Sequence, residues 1–213
     1  MMQVIARFMR VFFALLYHPF AFTYNLVAAT VSFGHWKDWT ITVLPYIEGG
    51  RVLELGFGPG HLQRTLLSRG LFAVGLDESH QMAMLAKKHL LKIGCKQINL
   101  SRGLAQQLPF PNESFNTIVA TFPTEYIFDP RTLAEVRRCL INHGRLVVLP
   151  VTWPKSPLLA WLYKATGESP SAIEPIIQQV KPIFTNSSFE VMFERLEEKS
   201  SLLLIIIATK AGV

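Results

Sequence analysis

Arg51-Val-Leu-Glu-Leu-Gly-Phe-Gly-Pro-Gly-His-Leu62 is the stretch whose reading decides the fold. It begins as a buried apolar strand, turns through Gly56, Gly58 and Gly60, and enters a helical pattern whose apolar positions include Leu62 and Leu66. Strand, glycine turn and helix in that order describe a nucleotide-type site. The chain has to turn sharply at φ values closed to other residues, and a ligand has to lie directly on the backbone.

A dinucleotide fingerprint, G-x-G-x-x-G, presents backbone N–H groups to a pyrophosphate at the helix N-terminus. Here the spacing is G-x-G-x-G, His61 stands where the third fingerprint glycine would fall, and Pro59 removes a donor. Glu54, just before the turn, places a carboxylate where a ligand's cationic group would be paired. That suits an amino-acid-bearing nucleoside better than a polyphosphate, and S-adenosylmethionine fits the description. A ribose-binding acid is expected at the end of the next strand, roughly 20 residues on. Phe72-Ala-Val-Gly-Leu-Asp77 supplies it, with Glu78 beside Asp77. The bland alternative is an ordinary tight turn, with Asp77 capping the following helix.

These residues resemble the class I S-adenosylmethionine-dependent methyltransferases. The resemblance rests on Glu54-Leu-Gly-x-Gly-x-Gly60 followed by Asp77, on Gly103-Leu-Ala-Gln-Gln-Leu-Pro-Phe-Pro111 with Ser114-Phe115, and on Leu133-Ala-Glu-Val-Arg-Arg-Cys-Leu140 leading to Gly144-Arg-Leu-Val-Val148. It covers at least residues 51 to 150 and leans towards small-molecule enzymes similar to the ubiquinone and menaquinone C-methyltransferases. The fold it implies is α/β, a Rossmann-like seven-stranded mostly parallel sheet with a C-terminal antiparallel hairpin, plus N-terminal hydrophobic helices. The cofactor it implies is S-adenosylmethionine, held by Glu54, Gly56, Phe57, Gly58, Gly60, His61, Asp77, Glu78, Leu104, Ala105 and Thr121. The family usually carries an acid at the position of Leu104. Leucine cannot accept the adenine amino proton through its side chain, which leaves backbone contact at Leu104 and Ala105.

A chain of 213 residues is enough for one α/β domain with a full core, and no internal repeat or low-complexity linker points to a second. The expected division is residues 1–45 as a hydrophobic helical lid or membrane-contact segment and residues 46–213 as the cofactor-binding domain. Half the residues are hydrophobic, mean hydropathy is +0.28, and 21 basic against 15 acidic residues leave a formal charge of +6. Apolar and basic character together suggest a membrane surface or an anionic partner. Two cysteines, Cys95 and Cys139, make neither a disulfide framework nor a zinc site, and no His/Asp/Glu spacing predicts a metal. A reducing cytoplasm follows, with the inner face of the membrane as a peripheral location.

From Val11 to Trp36 no residue carries a formal charge, and Arg7 and Arg10 stand in front. Pro19 interrupts any continuous spanning helix, so two short helices are expected, the first from Val4 to Tyr17. Residues 4–36 would lie in a lipid interface, or cover the domain's own core or a second subunit as in a homodimer. The segment Tyr24 to Gly34 with Trp36 and Lys37 is similar to the one preceding the cofactor domain in the quinone C-methyltransferases. That similarity implies that Tyr24 and Ser32 to Trp36, including His35, line the substrate end of the pocket.

Further along, a helix from Leu62 to Arg69 closes at Gly70, and Ser79 caps one running through Leu91 to Gly94. Short strands are expected over Gln97–Leu100, Phe115–Thr121 and Arg145–Leu149, with an Asp129-capped helix from Pro130 to Leu140 between the last two. Ser156-Pro157 caps a short apolar helix from Leu158 to Ala165. With Trp153, Trp161 and Tyr163 it would cover a greasy substrate or pack as core. Phe189–Leu196 and Leu202–Thr209 form the terminal hairpin.

Thr121-Phe-Pro-Thr-Glu-Tyr-Ile127 follows the fourth strand, where methyl acceptors meet the cofactor. It lacks the Asn/Asp-Pro-Pro-aromatic tetrad of base N-methyltransferases, and neither cysteine follows a proline as a cytosine C5 nucleophile would. Lys87, Lys88, Lys92, Lys96 and Arg102 are the only formal charges between Glu78 and Glu113, and no aromatic interleaving favours nucleic acid. A base is optional, because alignment supplies much of the catalysis; Tyr24, His35, Glu125 and Tyr126 are the candidates, with His61 as a further histidine near the loop. The expected acceptor is a small molecule or lipid, a quinone precursor or lipid headgroup. A soluble metabolite, or a non-catalytic module binding membrane or protein, are the alternatives.

Overall fold

A computed structural model describes residues 36–95, 97–154, 173–198 and 201–212. Tyr24, His35, Trp161, Tyr163 and the expected helices at 4–17 and 158–165 lie outside the described residues. Seven strands form one sheet: β1 (Arg51–Leu55), β2 (Phe72–Asp77), β3 (Asn99–Arg102), β4 (Phe115–Thr121), β5 (Leu140–Pro154), β6 (Phe189–Glu197) and β7 (Ser201–Lys210). Their order is β3-β2-β1-β4-β5-β7-β6. The first five strands pair in parallel, and β7 inserts antiparallel between β5 and β6.

Among the described residues five α-helices accompany the sheet: α1 (Trp36–Ile41), α2 (His61–Ser68), α3 (His80–Lys92), α4 (Pro130–Cys139) and α5 (Ile173–Asn186). The strands alternate between two buried faces, as a sheet covered on both sides requires. Leu53, Leu55, Leu76, Ile118, Ala120, Leu146 and Val148 share one cluster with Leu133 and Val136 of α4 and Phe184 of α5. Val52, Ala73, Val119, Val147 and Leu149 share the other with Trp39 of α1, Val43, Leu44, and Leu62 and Leu66 of α2. Trp39, Val43 and Leu44 are thus part of the core beneath the sheet.

Sheet order reverses between β1 and β4, since β1 leads to β2 on one side while β4 leads to β5 on the other. Loops leaving the two strands diverge there, and a crevice opens beyond Leu55 and Thr121. The expected ranges of β2 and β4 agree with those observed, and the terminal hairpin differs only at its ends. The third strand lies two residues later than expected, because its partners in β2 run from Val74 to Asp77 and pair with Asn99 to Arg102. The fifth begins at Leu140 rather than Arg145. Ile141 to Gly144 form a bulge, with Phe115 pairing Leu140 and Thr117 pairing Arg145, and His143 takes up the extra length at φ 61°.

Helix α5 has no counterpart in the sequence reading. Pro182 lies inside it, costing one backbone hydrogen bond, yet Ile173, Val180 and Phe184 are buried along one side. Tertiary burial therefore outweighs the proline. Phe184 is fully buried against Phe128 (ring centroids 6.2 Å apart, planes at 85°). Phe184→Ala should lower unfolding free energy by about 3–5 kcal/mol. Urea unfolding would show this as a lower midpoint at unchanged slope; an unchanged midpoint would mean that α5 is not part of the cooperative core.

Candidate functional site

The glycine turn is pinned to β2 at two points. Gly56 N–H donates to Leu76 O at 2.7 Å, and Gly58 N–H donates to Asp77 Oδ2 at 2.9 Å. Asp77 Oδ1 accepts from Ser79 N–H at 2.8 Å, so one carboxylate ties the loop to the start of α3. Gly56, Gly58 and Gly60 all have positive φ, at 69°, 50° and 81°. A Cβ on Gly58 would meet nothing within 4 Å, so backbone there faces open space into which a ligand can be laid. At Gly56 a Cβ would come within 2.8 Å of the Tyr126 hydroxyl, which itself donates to Leu55 O at 3.2 Å.

Beneath this turn lies Glu54, 1% exposed. Its carboxylate accepts from the side chain and backbone of Gln63 in the first turn of α2, while Oε2 has no partner. Gln63 is itself buried and donates through Nε2 to Val74 O at 3.2 Å. Burial is the main cause that pushes Glu54 up to about 8, and the charge of Asp77 adds to it, against hydrogen bonds from Gln63 that lower it. A helix N-terminus ordinarily attracts an anion from the ligand. Here the protein's own carboxylate already takes that place. Once ionised, this carboxylate would repel a phosphate and would meet an ammonium with a buried, under-paired oxygen.

The crevice is shallow, open to solvent, and lined by Thr40, Glu54, Gly56 to Pro59, His61, Leu62 and Thr121. Thr40 comes from α1 and was not anticipated; its hydroxyl donates to Lys37 O at 2.8 Å. His61, the first residue of α2, is pushed down to about 4 by burial and by the nearby charges of Lys37, His89 and Arg64, so it is neutral near pH 7. Its ring stacks with His89 of α3 at 6.1 Å, and His89 Nδ1 lies 3.0 Å from Pro59 O. The Phe57 ring fills the space over Gly75 of β2.

Asp77 is raised by burial, against the two backbone hydrogen bonds that lower it, and Glu78 beside it is exposed. Leu104 is 54% exposed beyond β3, while Ala105 is buried. Glu125 is exposed at the start of a short 3-10 turn, Glu125–Phe128, and Tyr126 is half-buried. The structure therefore brings Glu54, the glycine turn, His61 and Thr121 round one crevice, with Asp77 clamped to the turn and Tyr126 over Gly56. Phe122 was also missed. It follows β4 at φ 50°, a conformation that costs a bulky residue about 1–3 kcal/mol, and its N–H donates to Leu149 O at 2.7 Å. Its ring lies 6.3 Å from that of Trp39.

Residues 52–144 match the family described as a methyltransferase domain. This match and the relatives below support a class I S-adenosylmethionine-dependent methyltransferase domain. Over 104 residues it is 35% identical to a phosphatidylethanolamine N-methyltransferase of Cereibacter sphaeroides, covering 48% of this chain and 51% of that one. Over 155 residues it is 30% identical to a ubiquinone/menaquinone biosynthesis C-methyltransferase of Blochmanniella floridana, covering 69% and 61%. The chain thus spans between half and two thirds of the length of these relatives. A Haemonchus contortus N-methyltransferase in complex with phosphomonomethylethanolamine and S-adenosylhomocysteine shares the fold, with TM-score 0.67, 15% identity, and coverage of 93% of this chain and 59% of that one. S-adenosylmethionine is the cofactor of such a domain, and the unpartnered Glu54 oxygen and the open face of Gly58 fit it.

Glu54 gives the site a pH signature. Its folded-state value lies above the ordinary carboxyl value, so the stability it confers is complete below the unfolded value and is lost as pH rises through about 8. Cofactor-free protein should therefore lose thermal stability relative to Glu54→Gln between about pH 5 and pH 9; parallel Tm profiles would contradict this. Because pairing with an ammonium needs the carboxylate, cofactor binding at neutral pH should release a proton and strengthen with rising pH. Calorimetry in buffers of different ionisation heat reads that proton directly.

Proposed function

We propose that this protein transfers the methyl group of S-adenosylmethionine to a small lipophilic acceptor, a quinone precursor or a lipid headgroup. The observation that carries this reading is the buried Glu54 carboxylate, with one oxygen unpartnered, beneath a glycine turn whose backbone is open at Gly58. The bound cofactor supplies an electrophilic methyl group on a sulfonium. Glu54 pairs the cofactor's ammonium, and Gly56, Phe57, Gly58, Gly60 and His61 carry its methionine and ribose along the turn. Asp77 and Glu78 take the ribose hydroxyls, and Leu104 and Ala105 flank the adenine.

Thr121 marks the end of the crevice at which the acceptor meets the methyl group. Alignment for in-line attack is worth roughly 7–11 kcal/mol at its best, so the chain needs no strong base. Tyr126, whose hydroxyl lies close to Gly56, and Glu125 beside it are assigned to orient an acceptor, as are Tyr24 and His35. Support for a lipophilic acceptor comes from the quinone and phosphatidylethanolamine relatives and from the hydrophobic residues 4–36, assigned to peripheral membrane contact. Among the described residues no helix is long and apolar enough to cross a membrane.

One observation favours a non-catalytic module: Leu104, exposed where the family's acid would reach the adenine. Titration with S-adenosylmethionine separates the two, since a stoichiometric isotherm contradicts a dead module. Asp77→Ala should weaken that binding about tenfold to a hundredfold, through loss of a ribose acceptor and of the Gly58 clamp. The acceptor is read by incubating the enzyme with methyl-labelled cofactor and lipid and quinone extracts. Label in a quinone or phospholipid, found by mass spectrometry, is the expected result, and label in water-soluble metabolites alone overturns the lipophilic assignment.

A further inference from the structure

Helix α3 carries two different faces. Met82, Ala86 and Leu90 are buried, and the inner side closes on the glycine turn: a Cβ on Gly60 would come within 3.0 Å of Ala86 Cβ, and His89 contacts Pro59 O. On the outer side Met84 is 58% exposed and Leu91 56% exposed. Seven residues apart, they lie on one line along the helix, and Lys87 and Lys88 sit between them at the i+3 and i+4 positions. Lys92 follows one turn beyond Lys88. All three lysines are exposed. Arg102, exposed at the end of the edge strand β3, extends the positive character to the sheet margin through its bonds to Glu78 O at 3.4 Å.

No acidic residue occurs in the sequence between Glu78 and Glu113. A solvated helix face normally mixes charges of both signs and keeps large apolar side chains inside. This one alternates exposed methionine and leucine with lysines alone, the arrangement that buries apolar side chains among acyl chains while the lysines meet anionic headgroups. Nucleic acid would call for interleaved aromatics or a dense phosphate-binding stripe, and the face offers Met84 and Leu91 instead.

We propose that the outer face of α3, with Arg102, docks on an anionic phospholipid bilayer. The assignment does not use residues 4–36 and goes beyond the methyl-transfer reading. It places the helix that buttresses the glycine turn against the membrane surface.

The test is co-sedimentation of the full chain with vesicles of phosphatidylcholine, with or without phosphatidylglycerol, at low and high salt. Each lysine near an anionic surface is worth about fivefold in partitioning, so Lys87→Glu/Lys88→Glu/Lys92→Glu should lose binding by roughly a hundredfold or more. Met84→Ser/Leu91→Ser should weaken binding to phosphatidylglycerol vesicles while leaving the salt dependence in place. Both variants should bind S-adenosylmethionine as the parent does, so failure of docking and failure of the cofactor reading are told apart. Equal binding to the two vesicle types, unchanged binding of the lysine variant, or binding to duplex RNA but not to vesicles would each overturn the proposal.

Discussion

A carboxylate at the N-terminus of α2, inside the protein, is the constraint from which the site follows. Glu54 is fixed on β1 between Gly75 of β2 and Val119 of β4, at the centre of the sheet, and cannot move to solvent. Charged, it would be costly there without a cation; neutral, it leaves the helix end less well served. The hydrogen bonds from Gln63 meet part of this need and the unpartnered oxygen shows the remainder. A cationic ligand group at that oxygen would resolve both costs together. For such a ligand, binding and the protonation of Glu54 would be one equilibrium.

The glycine turn supplies the complementary half. Its backbone is held by Leu76 and Asp77 on β2 and by the packing of Ala86 and His89 on α3, so its path does not depend on a ligand to shape it. Each Asp77 oxygen accepts a backbone N–H while retaining a further lone pair, so the clamp leaves the carboxylate able to accept from a ligand. The strained backbone at Phe122 directly follows Thr121, which lines the crevice. Such strain persists only where its surroundings over-determine it, here through the bond to Leu149 and the contact with Trp39.

Local patterns were legible in the sequence, and long-range ones were not. Glu54, the three glycines and Asp77 could be read because strand, turn, helix and strand are consecutive and each glycine has a backbone reason. Strands β2 and β4 were bounded by residues that end strands. Strand β5 was cut short because Asn-His-Gly reads as a turn, whereas pairing with β4 carries the ladder past it as a bulge. Helix α5 was hidden by Pro175 and Pro182, and only its burial against the sheet reveals why it forms. Thr40 reaches the crevice by tertiary contact, as Gln63 and Phe122 reach the residues behind it, and no local pattern announces such contacts.

Helix α3 joins these levels. Its inner residues had to be small or hydrogen-bonding, because Gly60 approaches Ala86 closely and Pro59 offers its carbonyl to His89. Among the described residues no comparable packing constrains its outer residues. That freedom explains why an exposed Met84 and Leu91 are informative: burial does not require them, and solvent does not favour them. A surface that would attract the helix would act on the same rigid element that fixes Pro59 and Gly60. Position at a bilayer and geometry of the cofactor turn would then be set by two sides of one thirteen-residue helix, with no other moving part between them.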